Sequence, residues 1–383
     1  MIFLDAASTT RPYPEVIEVI TDVLTNDWAN PSSNYSIADK PRALIEQVRE
    51  QFAEDLNCDP SEIIFTGSGC ESNSLAISGF LKNNRGYSVY SSKLEHASIR
   101  ELVNDLFLLC GHVTIPVNSV GEIAPNALRS LFIERQKYSN RTSFVTIQGS
   151  NSEIGTIQDI KTLAEVTHKY GGFFHCDAVQ LFPERQLDVQ DLGVDMLSIS
   201  GQKFHAGRGC AVLYVRKDLK SWLSPLIYGT QENSLRGGTY NTAAIVAMGK
   251  ALEINRLNKE KSHVKSLRDK LLDKLFTIPH TRLNGPKTYC NRLENNISLT
   301  IEGVSAEELV TMCDLNGVII AKGSACQSHI PQPSKALLAI GLTTEQALST
   351  IRITLDEFNT EAEIDEAADI IIKLVERIRS NAT

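Results

Sequence analysis

The chain lacks several features that would each point to a class of protein. It has no excess of basic residues: 38 Lys and Arg stand against 46 Asp and Glu, a formal net charge of -8. A generic polyanion-binding surface needs clustered cations, so direct nucleic-acid binding is not expected. No window approaches the roughly 18 uninterrupted apolar residues of a membrane span, and no membrane association is expected. The opening MIFLDAASTT has no basic segment and carries Asp5 within its apolar stretch, unlike a secretion signal. The eight cysteines include no C-x-x-C pair, which disfavours a zinc ribbon or a thioredoxin-type site. The cytoplasm, with free thiols, is the expected compartment. Gly (23) and Pro (13) are too few and scattered for a collagen-like or low-complexity chain. No internal repeat is evident.

What remains is an ordinary globular composition, 42% apolar and 22% charged over 383 residues, enough for two or three domains. From about 40 to 250, short β-branched runs alternate with amphipathic stretches. Strands are predicted at 62–66, 87–90, 113–116, 143–147, 173–176, 196–200 and 210–215. Helices are predicted at 70–81, 97–110 and 158–170, the last stopping at Gly171-Gly172. Near-continuous apolar strands separated by helices imply a parallel sheet covered on both faces. After about 255 the pattern changes: helices at 259–275, 306–316 and 361–379, strands at 296–301, 318–321 and 351–355. That reads as an α+β companion domain.

Three segments carry chemistry. Thr66-Gly67-Ser68-Gly69-Cys70-Glu71-Ser72 joins a strand to a helix, and reads either as a phosphate cradle or as a plain turn. Its spacing is one residue short of a dinucleotide fingerprint, and there is no G-K-[ST] for a P-loop. Phe174-His175-Cys176-Asp177-Ala178-Val179-Gln180 ends a strand on a carboxylate, at the sheet edge where such folds bind ligands, or as a helix cap. Leu197-Ser198-Ile199-Ser200-Gly201-Gln202-Lys203 sets a lysine just past another strand, aimed inward or lying on the surface. Together, an anion loop, a carboxylate and a lysine at neighbouring strand ends form the constellation that pyridoxal phosphate requires.

On these residues the chain resembles the class V aminotransferase group of pyridoxal-phosphate enzymes, and within it the cysteine desulfurases of the NifS/IscS type. The matching segments run through nearly the whole chain: LDAASTT, NPSS at 30–33, FTGSGCES, EHASI at 95–99, SEIGT at 152–156, HCDAVQ, SISGQK, LRGGT at 235–239, GSACQS at 323–328 and IRITL at 351–355. The resemblance implies an α/β protein of the fold type I transferases. It would have a large domain (16–255) around a mostly parallel seven-stranded sheet and a small α+β C-terminal domain (256–383) carrying a cysteine loop. Residues 1–15 would pack with the small domain, and two copies would form a homodimer.

It further implies pyridoxal 5'-phosphate held on Lys203, with Asp177 and Gln180 facing the ring nitrogen and the 3′-oxygen. His96 would stack on the ring and shuttle protons; from its own sequence it reads equally as a helix cap. Ser200 and Gly69 would touch the phosphate, and Thr239 would reach the phosphate of the other subunit. Arg352, assisted by Asn30, would clamp the substrate carboxylate with its planar fork. Cys326 would be the nucleophile, with His329 nearby. The implied reaction takes L-cysteine to L-alanine, leaving a persulfide on Cys326 that passes to an acceptor protein. Iron–sulfur assembly, tRNA thiolation and DNA phosphorothioation all draw on it.

Four residues depart from the commoner pattern. Cys70 stands for a phosphate-contacting Thr, Ser152 for a cofactor-touching Asn, Gln202 for a His and Tyr35 for a His. A weak thiol donor in place of a hydroxyl would cost phosphate binding on the order of 1 kcal/mol. The departures fit a specialised desulfurase. Other readings are another class V enzyme, such as an aminotransferase or a selenocysteine lyase, and a scaffold that has lost the cofactor.

Overall fold

A computed structural model describes the chain except residues 85, 139–141, 183, 258–261, 289–290, 324–331 and 382–383. Cys326 and His329, together with their loop, lie outside the described residues. Seven strands form the central sheet, in the spatial order Ile63–Thr66, Ala211–Val215, Met196–Ser200, Phe173–Asp177, Thr142–Gln148, Tyr87–Ser92, His112–Ile115. The last five run parallel to one another, and Ala211–Val215 is antiparallel to both of its neighbours. Every residue of Ile63–Thr66, Met196–Ser200 and Ala211–Val215 is buried, as strands covered on both faces must be.

The covering layers come from helices on either side. One apolar core gathers Ile45, Phe52, Phe65, Ile147, Leu163, Phe174, Leu197 and Val212. A second, on the opposite face, gathers Ile64, Phe80, Val89, Phe144, Met196 and Leu213. Alternate residues of single strands, such as Ile64 and Phe65, divide between the two, which is the period-2 rule at work.

A separate four-stranded sheet has the order Ala321–Lys322, Thr350–Thr354, Asn296–Ile301, Thr281–Leu283, all antiparallel. Its core contains Leu267, Ile297, Leu299, Ile351, Ile353, Ile371 and Val375, together with Ile2 and Leu4. The chain start is tied there by strand Ile2–Phe3, which pairs in parallel with Val318–Ile319. The single strand predicted at 318–321 is therefore two. Val318–Ile319 meets the N-terminus, and Ala321–Lys322 turns to join Thr350–Thr354.

The helix predicted at 70–81 also differs. It runs as Gly69–Ser74, a wider π turn Leu75–Gly79, and Phe80–Asn83. Gly79 lies against the Ser224 backbone: its carbonyl accepts the Ser224 N–H at 2.8 Å, and a Cβ on Gly79 would fall 2.7 Å from Ser224 O. Main-chain packing of that closeness accompanies the locally widened helix.

One buried ion pair braces the cradle strand. The Glu232 carboxylate accepts from Arg49 Nη1 at 2.9 Å and Nη2 at 2.8 Å, and from the Phe65 N–H at 3.1 Å. Glu232, Asn233 and Ser234 hold φ of 50°, 53° and 65°. Each such left-handed non-glycine residue costs about 1–2 kcal/mol. The Arg49 clamp offsets that cost, and it fixes the turn leading into Leu235–Thr239.

Candidate active site

Asp177 is the last residue of its strand, and Ser200 the last residue of the next. Lys203 follows within the single turn Gly201–Lys203. The parallel register of these strands puts both chain turns at the same end of the sheet. The loop Gly67-Ser68 and the helix start at Gly69 arrive beside them, because an added Cβ on Gly69 would fall 2.8 Å from Val179 Cγ2 and 3.3 Å from Ser200 Cβ. Glycine is required there by close approach.

Lys203 turns inward. Its Nζ donates to Ala7 O at 2.8 Å and Ser8 O at 2.6 Å, from the LDAASTT segment. Gln180 Nε2 donates to the same Ala7 carbonyl at 2.9 Å. Burial and the nearby Arg352 charge lower the lysine from 10.5 to about 8, against opposing pulls from Asp5, Cys70 and Asp177. Arg352 Nη2 is paired with Asp5 Oδ1 at 2.7 Å, while its buried Nε has no hydrogen-bond partner among the described residues. Lys203, Asp177, Arg352 and Cys70 thus share one field.

Asp177 is buried, and burial raises its carboxyl above the usual range. It accepts from the Val179 N–H at 3.1 Å and from Asn73 Nδ2 at 2.8 Å. His96 and Lys203 pull in the opposite direction. His96 opens helix Ala97–Cys110, and its Nδ1 accepts the Ser98 N–H at 3.1 Å. Of the two readings of His96, helix cap or ring-stacking proton shuttle, the first matches its bond to the Ser98 N–H, and its imidazole also feels the charges of Asp177 and Lys203. Crowding by protein pushes its imidazole below its ordinary value.

The remaining expected residues divide. Ser152 lines, with His96, Asn151, Glu153 and Gln332, a cavity of about 150 Å³. Gln202 is partly buried, and its carbonyl accepts from the Thr10 N–H and hydroxyl. Cys70 and Thr239 are exposed. Tyr35 and Asn30 are exposed as well, and Asn30 Oδ1 accepts from the Ser32 N–H at 3.0 Å in its own turn. Among the described residues no hydrogen bond joins Asn30 to Arg352.

Four participants escaped the sequence reading. Asn73 and Asp5 bond the expected carboxylate and guanidinium directly. Glu95, fully enclosed, accepts from Ser92 Oγ at 2.6 Å and the Gln148 N–H at 2.7 Å, and burial raises it to about 8. Glu71 accepts the Gly67 N–H at 2.8 Å and pairs with Arg236, so one cradle donor is already engaged. Asp5, Glu71 and Glu95 lie inside quoted motifs and Asn73 directly follows one, so the residues were in view while their partners were not. An acidic or amide residue flanking a glycine turn or a histidine was the available signal.

The arrangement fits a phosphorylated pyridinium aldehyde. A lysine amine of lowered basicity, a buried carboxylate, a glycine-floored strand-to-helix turn and a guanidinium nitrogen unpartnered among the described residues are its donor set. Lys203, Asp177, Gln180, Ser200 and Gly69 are the residues that would hold it. When bound, such a group withdraws electrons from the Cα of an attached amino acid.

Comparison with known proteins agrees. The profile of the family described as Aminotransferase class-V matches residues 2–367. The chain is 36% identical over 386 aligned residues to a cysteine desulfurase IscS of Dictyoglomus turgidum, covering 99% of this chain and 95% of that protein. It is 34% identical to the cysteine desulfurase IscS of Methanosarcina thermophila, with 99% and 93% covered. Among solved structures, a NifS-like protein from Rickettsia africae superposes with a TM-score of 0.86 at 31% identity, with 99% of each chain covered. A structure of SspA in complex with cysteine superposes with a TM-score of 0.80 at 30% identity, covering 94% of this chain and all of the other.

Proposed function

The chain belongs to the aminotransferase class-V family, and from that premise we propose that it is a pyridoxal-phosphate-dependent cysteine desulfurase. It converts L-cysteine to L-alanine and moves the sulfur to Cys326. The observation that carries the reading is the amine of Lys203, turned in from its strand end, in one field with Asp177, His96 and Arg352.

Each residue then has a task. Arg352, fixed by Asp5, receives the substrate carboxylate on its guanidinium. Asp177 would hold a positive charge on the ring nitrogen of the bound group and so support its electron withdrawal. Lys203, poised near pH 8, moves protons at the substrate Cα. His96, facing Lys203 and Asp177, manages a proton at the departing sulfur or its neighbour. The Cys326 thiolate takes the substrate sulfur: the Cβ–S bond breaks, an S–S bond forms, and a proton replaces sulfur on Cβ. Cysteine and a thiol become alanine and a persulfide. Thr239 reaches the second copy's phosphate, so the working unit is a homodimer. Ser152, Gln202 and Cys70 line the cofactor pocket, and Asn30 assists Arg352.

In this reading residues 16–255 form the large domain, 256–383 the small one, and 1–15 pack with the latter. The persulfide passes to an acceptor protein in the cytoplasm, for iron–sulfur assembly, tRNA thiolation or DNA phosphorothioation. No helix among the described residues is long and apolar enough to cross a membrane.

The test is incubation with L-cysteine and a thiol reductant. Equimolar alanine and sulfide are expected, both lost in Cys326→Ala. A protein loaded with cofactor that forms no alanine overturns the reading. With a 2-oxo acid added as amino acceptor, amino transfer that survives Cys326→Ala marks a transaminase instead.

A further inference from the structure

His96 and Asp177 lie on different elements, a helix start and a strand end, yet a continuous hydrogen-bond chain joins them. The Asn73 amide nitrogen forks: one hydrogen goes to Asp177 Oδ2 at 2.8 Å and the other to Ser98 Oγ at 3.0 Å. Ser98 Oγ lies 2.9 Å from His96 Nδ1. The Ser98 backbone N–H also points at Nδ1, at 3.1 Å.

Each link fixes the orientation of the next. Asn73 cannot be flipped, because its oxygen would then face the Asp177 carboxylate. Ser98 Oγ accepts from Asn73, which leaves its own hydrogen for His96. The backbone N–H of Ser98 can only donate. A proton on Nδ1 would meet that N–H head-on, so Nδ1 must be the acceptor nitrogen.

We propose that Asn73 and Ser98 are positioning residues that hold His96 as the tautomer protonated on Nε2 and tie its ring to Asp177. This rests on the reading of His96 and Asp177 as parts of the active site. It deepens that reading by assigning which nitrogen of His96 offers a hydrogen to the reacting groups. The resting imidazole offers a hydrogen at Nε2, the nitrogen that no described residue engages. His96 therefore begins the cycle as a neutral hydrogen-bond donor at Nε2 that orients and polarises the group placed there, and the first base is Lys203. Burial, the first cause of the lowered basicity of His96, also favours the neutral ring. The buried Asn73 Oδ1 has no partner among the described residues, so the Asn73 side chain is held entirely by the two hydrogens it gives.

The experiment is long-range ¹H–¹⁵N correlation on deuterated holoenzyme labelled with ¹⁵N-histidine, the His96 signals identified by their loss in His96→Gln. Near neutral pH, Nε2 is expected in the protonated, pyrrole-type range and Nδ1 in the bare, imine-type range. A proton found on Nδ1 overturns the assignment, whether or not the enzyme turns over cysteine. In Ser98→Ala the Nδ1 resonance is expected to shift as one of two donors is lost, and alanine formation to fall on the order of tenfold in kcat with KM for cysteine unchanged. Ser98→Thr, which keeps the hydroxyl, is expected to restore both. An unmoved Nδ1 resonance in Ser98→Ala, or a thermal midpoint that falls while kcat holds, reduces the chain to packing and refutes a positioning role. If wild-type protein makes no alanine while Nε2 carries the proton, the functional reading fails and the tautomer assignment stands.

Discussion

The amine at position 203 is set to titrate far from an ordinary lysine, and that is measurable before any turnover. Burial is the first cause and the Arg352 charge the second; together they bring it from 10.5 to about 8. At 1.36 kcal/mol per tenfold change in proton affinity, the gap amounts to roughly 3 kcal/mol of disfavour for the ammonium in the folded protein. The unfolded chain binds this proton more tightly. The cost is therefore fully present below about pH 8, and stability is recovered as pH rises from 8 toward 10.5. Arg352→Gln removes the second cause and leaves burial, so the lysine should move part of the way back. The assay is pulsed acetylation of cofactor-free protein across pH, with the peptide containing Lys203 followed by mass spectrometry. Half-maximal reactivity near pH 8 in the wild type, and a rise in Arg352→Gln, are expected. A wild-type midpoint near 10.5, or no change on loss of Arg352, refutes the shared field.

Glu95 gives an opposite slope: its unfolded carboxyl loses a proton near 4.5 and its folded one near 8, so stability should decline between those values. Glu95→Gln keeps the shape and should flatten that part of a melting-temperature profile; an unchanged profile would show the carboxyl to be ionised when buried. Gly69→Ala drives a methyl to 2.8 Å from Val179 Cγ2, and should cost about 1–3 kcal/mol and loosen cofactor retention, read by denaturant unfolding and dialysis. Arg49→Ala strands the Glu232 carboxylate and should destabilise by about 3–5 kcal/mol, again by denaturant unfolding. A loss under 1 kcal/mol would mean that Glu232 reaches water instead.

The seven central strands were legible because each is a short apolar run, and Asp177 and Lys203 because they punctuate such runs. Helix Thr242–Leu257 was not, because its first eight residues are all buried and no polar face breaks the pattern there. Helix Asp39–Leu56 carries its apolar residues among many charges, which hides its buried face. Strand 318–321 looked continuous, since nothing local reveals that its halves serve different sheets. The site's supporting contacts were hidden for a different reason. Asp5 meets Arg352 across 347 residues and Asn73 meets Asp177 across 104, so only the folded chain makes them neighbours.

The most direct measurement reduces the holoprotein with borohydride, digests it, and locates the pyridoxyl label by mass spectrometry. The label is expected on Lys203 alone, with the visible absorbance of the protein absent from Lys203→Ala. A label on another lysine, or absorbance that survives Lys203→Ala, would contradict the site built around this amine.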